Sequence, residues 1–138
     1  MTGFALSNEP LPLDLLKPEA DTGAVVGFTG RVRNQNEGRQ VIALEYEAFD
    51  ELALTEGEQI VSEAIGLYGL TGAACVHRVG KLELGEPAIR VEASSAHRQA
   101  AFEACRWIVD EVKSRVPIWK KEYYEDGQTE WLNPSGAS

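Results

Sequence analysis

The sequence predicts an α+β domain with a mostly antiparallel sheet and two main helices. Three observations carry that prediction. Strand-like and helix-like stretches alternate along the chain, yet hairpin and turn signals dominate the connections between strands. After Ser95 the apolar residues fall at helical spacing. Near the end, Asp126-Gly127 separates two strand-like runs, the signature of a tight hairpin. The 138 residues suffice for one hydrophobic core, so a single domain over 1–138 is expected.

Pro10, Pro12 and Pro18 make residues 1–22 an irregular segment, with at most one short helical turn around Leu13–Leu16. Residues 23–32 read as a strand interrupted by glycines, where backbone or ligand approaches closely. Arg33 to Arg39 is a polar loop, and a second strand follows at Val41–Glu47. Asp50 is placed to cap a helix reaching about Tyr68, with Leu52, Ile60, Val61, Ala64, Ile65 and Tyr68 as its inward stripe. Gly57 weakens that helix in its middle. Ala73–Val79 and Ala88–Ser94 read as strands, joined by a Gly80 to Pro87 connection with room for a short extra strand.

The clearest helix follows Ser95. Phe102, Cys105, Val109, Val112 and Val116 form its stripe, and Pro117 ends it by disfavouring helical geometry at the preceding residue. Trp119–Tyr124 and Thr129–Leu132 flank the Asp126-Gly127 turn as a closing hairpin. Residues 133–138 are small and polar, a flexible tail.

Composition excludes several functions. With 13 basic against 22 acidic residues the net charge is −9, which argues against nucleic acid or an anionic membrane as partner. No apolar run is long enough to cross a bilayer. Met1 to Lys17 has no basic stretch before its apolar residues and carries Glu9 and Asp14, unlike a secretory leader. A cytoplasmic location is therefore expected. Cys75 and Cys105 belong to no C-x-x-C pair, and two histidines offer no metal-ligand spacing. Both thiols are expected to be buried and reduced.

Against this acidic background, local gatherings of Arg and Lys are informative. Gly27 to Asn34 is a glycine-spaced strand that delivers Arg33, a planar fork suited to phosphate or carboxylate, into a polar loop. Ser94 to Arg98 opens the second helix, whose unpaired N–H groups favour anions. Arg98 in that first turn opposes the helix dipole, a mildly costly choice that suits a ligand. In Lys113 to Glu122, Lys113 flanks the buried stripe and Lys120 follows Trp119 on the outgoing strand. Each stretch has an ordinary explanation: a solvated arginine, Ser95 as a helix cap, solvated lysines at a helix C-terminus. Taken together they outline an anion site.

Five stretches, in order over about Gly23 to Trp131, carry a family resemblance. They are Gly-Phe-Thr-Gly-Arg-Val-Arg-Asn (27–34), Leu-Glu-Tyr-Glu-Ala (44–48), His-Arg-Val-Gly-Lys-Leu-Glu-Leu-Gly-Glu (77–86), Ser-Ala-His-Arg (95–98) and Pro-Ile-Trp-Lys-Lys-Glu (117–122). The chain thereby resembles the large, catalytic subunit of molybdopterin synthase. The resemblance implies the hammerhead-like fold of that family and a sulfurtransferase. Its substrate would be cyclic pyranopterin monophosphate. Its sulfur would arrive as a thiocarboxylate on the C-terminal glycine of a small ubiquitin-like subunit, two transfers making one dithiolene. It also implies self-association as the central dimer of a heterotetramer, and no metal or redox cofactor. By resemblance Lys113 and Lys120 are catalytic, and Arg33, His97, Arg98 and Phe28 bind substrate. His97 would act as proton donor or phosphate ligand, Phe28 would pack on pterin or tail, and His77 is assigned to structure. Leu52 stands where many relatives carry methionine, a packing difference. The competing reading is a non-catalytic scaffold that binds a ubiquitin-like tail; a phosphoesterase lacks metal ligands and an activated nucleophile.

Overall fold

A computed structural model describes residues 1–132, and the expected flexible tail at 133–138 lies outside the described residues. The strands are β1 (Gly3–Ser7), β2 (Ala24–Arg31), β3 (Gln35–Asn36), β4 (Arg39–Ala48), β5 (Gly72–Arg78), β6 (Gly80–Glu83), β7 (Pro87–Ser95), β8 (Ile118–Tyr124) and β9 (Thr129–Leu132). The helices are α1 (Asp50–Tyr68) and α2 (Arg98–Arg115). They build two sheets. One has the order β1-β5-β7-β2; the other runs β3-β4-β8-β9, with β6 also paired to β4. All pairings are antiparallel except β1 with β5, so the α+β, mostly antiparallel expectation holds.

Both helices pack on one face of the four-stranded sheet. Residues at period two on β5 and β7 (Ala73, Cys75, Val91 and Ala93) meet Ile60, Val61 and Ala64 of α1 and Cys105, Ile108 and Val112 of α2 in the main core. A smaller cluster of Val32, Val41, Leu44, Leu82, Ala88 and Tyr124 fills the junction with the second sheet. On the opposite face, Leu15 packs on Ala74 and Val76. The buried Glu92 carboxylate ties that covering segment down, accepting from the amides of Leu15 and Leu16 at 3.0 Å each.

Several expectations are corrected. Residues 1–22 are not wholly irregular: Gly3–Ser7 form β1, and Leu13–Leu16 form no helical turn. Five residues with a partner some seventy positions later leave no local pattern to read. Asp50 is the first residue of α1 and Phe49 occupies the cap position, without a side-chain bond. At α2 that position belongs to His97, while the Ser95 hydroxyl donates to the His97 carbonyl. Leu52 and Phe102 are exposed, not inward. The buried face of α2 is turned toward Ala101, Ala104 and Ile108, whose alanines let the helix sit close to the sheet. The polar loop holds β3, joined to β4 by a two-residue turn with positive φ at Glu37 and Gly38 (48° and 80°).

Candidate active site

A cavity of about 310 Å³ opens where the two sheets meet the C-terminal end of α2. Period-two geometry builds one wall. Leu44 and Tyr46 on β4 stand opposite Glu122 and Lys120 on β8, so all four side chains point into the same space. His77 on β5 and Ile89 on β7, also cross-strand partners, form a second wall. The last turn of α2 supplies Val112 and Lys113, and the segment after β2 supplies Arg33.

Three of the sequence-predicted residues therefore converge: Arg33, Lys113 and Lys120. They sense one another. Burial lowers the Lys120 pKa; the Glu122 carboxylate opposes that shift, and Lys113 and Arg33 add to it. Among the described residues neither Arg33 nor Lys113 has an ion-pair partner. Arg115 shows the contrast. Its guanidinium meets Glu63 at 2.9 Å, Glu111 at 3.2 Å and Glu56 at 3.5 Å, so this cation clamps α1 to α2 and is not free for a ligand. Two uncommitted cations and a partly desolvated lysine in one cleft constitute an anion site.

The other three candidates lie elsewhere. Phe28 is exposed on β2, and its ring lies over Gly30 at the cavity margin, where a Cβ would meet Phe28 Cε2 at 3.4 Å. His97 and Arg98 are exposed at the start of α2. Fifteen residues separate Arg98 from Lys113, roughly 22 Å along the helix axis. Neither reaches the cavity of its own chain.

Two cavity groups escaped the sequence reading. Glu122 is almost fully buried; its Oε1 accepts from Asn36 Nδ2 at 3.0 Å and from the Tyr124 hydroxyl at 2.7 Å, while Oε2 lies 3.9 Å from Lys120 Nζ. The same carboxylate and, more strongly, burial push the Tyr46 hydroxyl up to about 12. His77, read as structural, also lines the cavity. Burial foremost, with Lys113 adding, pushes its pKa down to about 4 against an opposing bond to the Arg78 carbonyl. The Cys75 and Cys105 thiols, both expected to be inert, are buried and free, and burial raises the pKa of each.

Comparison with known proteins decides the family. The model of the MoaE protein family matches residues 6–115. The chain belongs to the MoaE family. Over 113 residues it is 50% identical to the molybdopterin synthase catalytic subunit of Pyrococcus abyssi, covering 82% of this chain and 76% of that one. The Bacillus subtilis molybdopterin synthase catalytic subunit is 40% identical over 135 residues, covering 96% and 85%. Among solved structures, the Staphylococcus aureus molybdopterin synthase superposes with a TM-score of 0.86 at 33% identity, covering 96% of both chains. The cavity thus belongs to a MoaE fold. The conjunction of β4, β5, β8 and α2 that forms it has no counterpart in any local stretch of sequence, which is why Glu122 and His77 could not be read from theirs.

Proposed function

We propose that this MoaE chain is a molybdopterin synthase catalytic subunit, transferring sulfur from the thiocarboxylated C-terminal glycine of a small ubiquitin-like subunit to cyclic pyranopterin monophosphate. The observation that carries this reading is the convergence of Arg33, Lys113 and Lys120 in one cavity, with Arg33 and Lys113 unpaired among the described residues. Both reactants are anions. Bringing a cyclic phosphate and a thiocarboxylate together in water is opposed by their charges; cations held in place remove that opposition. They also stabilise charge that develops as the phosphate ring opens. A volume of about 310 Å³ lies at the small end of the range for ligand sites and suits one heterocycle and the end of a tail.

In this reading Lys113 stands at the reacting carbon of the tail, where the last turn of α2 adds its own preference for a cation. Lys120 supports it from β8, and Arg33 takes the phosphate as a two-pronged donor. Phe28 borders the ring site. His97 and Arg98, exposed and far from their own cavity, serve the cavity of a second copy in a symmetric dimer. The sulfur comes on the partner, so the buried cysteines have no part in the chemistry. Among the described residues no helix is long and apolar enough to cross a membrane.

Reconstitution tests this reading. Protein, thiocarboxylated small subunit and cyclic pyranopterin monophosphate are mixed, and the dithiolene is followed as its oxidised fluorescent derivative. Product is expected only with all three components, and Lys113→Ala is expected to lose at least a hundredfold in rate, the scale of one group removed from a developing charge, while folding and small-subunit binding persist. A stable complex that forms no product would instead favour the scaffold reading.

A further inference from the structure

Arg33, Lys113 and Lys120 can only donate hydrogen bonds, which suits an anion but not a heterocycle that itself presents N–H groups. His77 has the opposite character. Its Nδ1 lies 2.7 Å from the carbonyl oxygen of Arg78. A carbonyl only accepts, so Nδ1 carries the hydrogen and Nε2 is left with a lone pair. The lowered pKa keeps the ring uncharged at neutral pH, so it adds nothing to the positive field. Tyr46 meets the ring edge-on, with centroids 4.8 Å apart and planes at 78°, and together with the Arg78 bond this fixes its orientation.

Among the described residues no group bonds to Nε2, and it is not one of the polar atoms sealed without a partner. It opens on the cavity that His77 lines. Its cross-strand partner Ile89 lines the same cavity, to which Leu44 and Val112 add apolar surface. The cavity therefore offers two kinds of group. Arg33, Lys113 and Lys120 bring positive charge, and His77 brings a neutral acceptor among apolar side chains.

We infer that His77 is a specificity-determining residue whose Nε2 accepts a hydrogen bond from a ring N–H or amino group of the substrate heterocycle. This rests on the functional reading above and adds the part of the substrate that is recognised away from its phosphate. The ring lies against these apolar side chains, Nε2 selects for an N–H donor at its edge, and the cations hold the phosphate. A buried acceptor of this kind discriminates strongly, because a ligand without the donor leaves it unpaired.

The test measures affinity for cyclic pyranopterin monophosphate and, separately, for inorganic phosphate, in wild type, His77→Asn and His77→Gln. Asparagine can still donate toward the Arg78 carbonyl but ends short of the Nε2 position; glutamine reaches it with an amide oxygen. His77→Asn is expected to raise Kd and KM for the pterin about tenfold, the loss of one hydrogen bond of about 1.4 kcal/mol. Its kcat stays within about twofold and its phosphate affinity is unchanged, while His77→Gln recovers most of the pterin affinity. In the wild type, the ¹⁵N resonance of Nε2 shifts when the pterin is added and not when phosphate is added. Unchanged pterin affinity in His77→Asn overturns the inference. So does a parallel loss of pterin and phosphate affinity, which would mean that His77 acts only through the neighbouring cations. A wild-type protein that binds no pterin overturns the functional reading itself, a result distinct from both.

Discussion

Glu122 opposes the loss of charge on its neighbour Lys120. The carboxylate is almost sealed from solvent, held by Asn36 and the Tyr124 hydroxyl, and stands 3.9 Å from Lys120 Nζ. It favours the Lys120 ammonium, whereas burial above all, with Lys113 and Arg33, favours the neutral amine. Glu122→Gln keeps an oxygen for Asn36 and Tyr124 but removes the charge. The Lys120 pKa must then fall further below its ordinary value, and a rate that needs the ammonium loses its alkaline limb at lower pH. A pH–rate profile checks this, and an unmoved alkaline limb would uncouple Glu122 from Lys120. Of the cavity groups, Arg33, Lys113 and Lys120 were legible beforehand because a cation stands out in a chain of net charge −9. An isolated glutamate in the same chain does not stand out. Its significance comes from the register that sets Glu122 opposite Leu44 and Lys120 opposite Tyr46.

At the level of elements, α1 and β1 explain one another. Gly57 reads as a weakness in a helix, and by propensity alone Gly57→Ala should stabilise by about 1 kcal/mol. A Cβ at that position would stand 2.2 Å from the Phe4 ring. Phe4 is buried there against Ala53 and Ile60, so the ring has no free space into which to retreat. Packing outweighs propensity: Gly57→Ala is expected to destabilise by a net of about 2 kcal/mol, the scale of forced core overpacking. Denaturant unfolding checks the sign. The double variant with Phe4→Ala should cost less than the sum of the two single changes, because each relieves the other. α1, α2, β8 and β9 were legible to within a few residues because their periodicity, or a turn or proline beside them, is local in the sequence. β1 was not, and without β1 the glycine at 57 had no visible reason.

For the whole molecule, distance makes the strongest demand. Lys113 and Arg98 lie in opposite end turns of α2, a helix of 18 residues, so one rigid element forbids both from serving the same cavity in one chain. If both act in one reaction, two copies must share the work, each cavity taking Lys113 from one chain and Arg98 from the other. In a two-fold dimer this occurs twice, by symmetry. Lys113→Ala and Arg98→Ala proteins are each expected to be nearly inactive alone. Mixed and allowed to exchange subunits, half of the dimers become heterodimers. In each of these one cavity carries both defects and the other carries none, so activity should return to about a quarter of the wild-type value. Exchange is verified by native mass spectrometry with one variant isotope-labelled. Full exchange without recovered activity would sink the shared cavity, and so would an Arg98→Ala protein that is fully active alone. Either result would return the helix N-terminus to its ordinary explanation, a charged and solvated first turn.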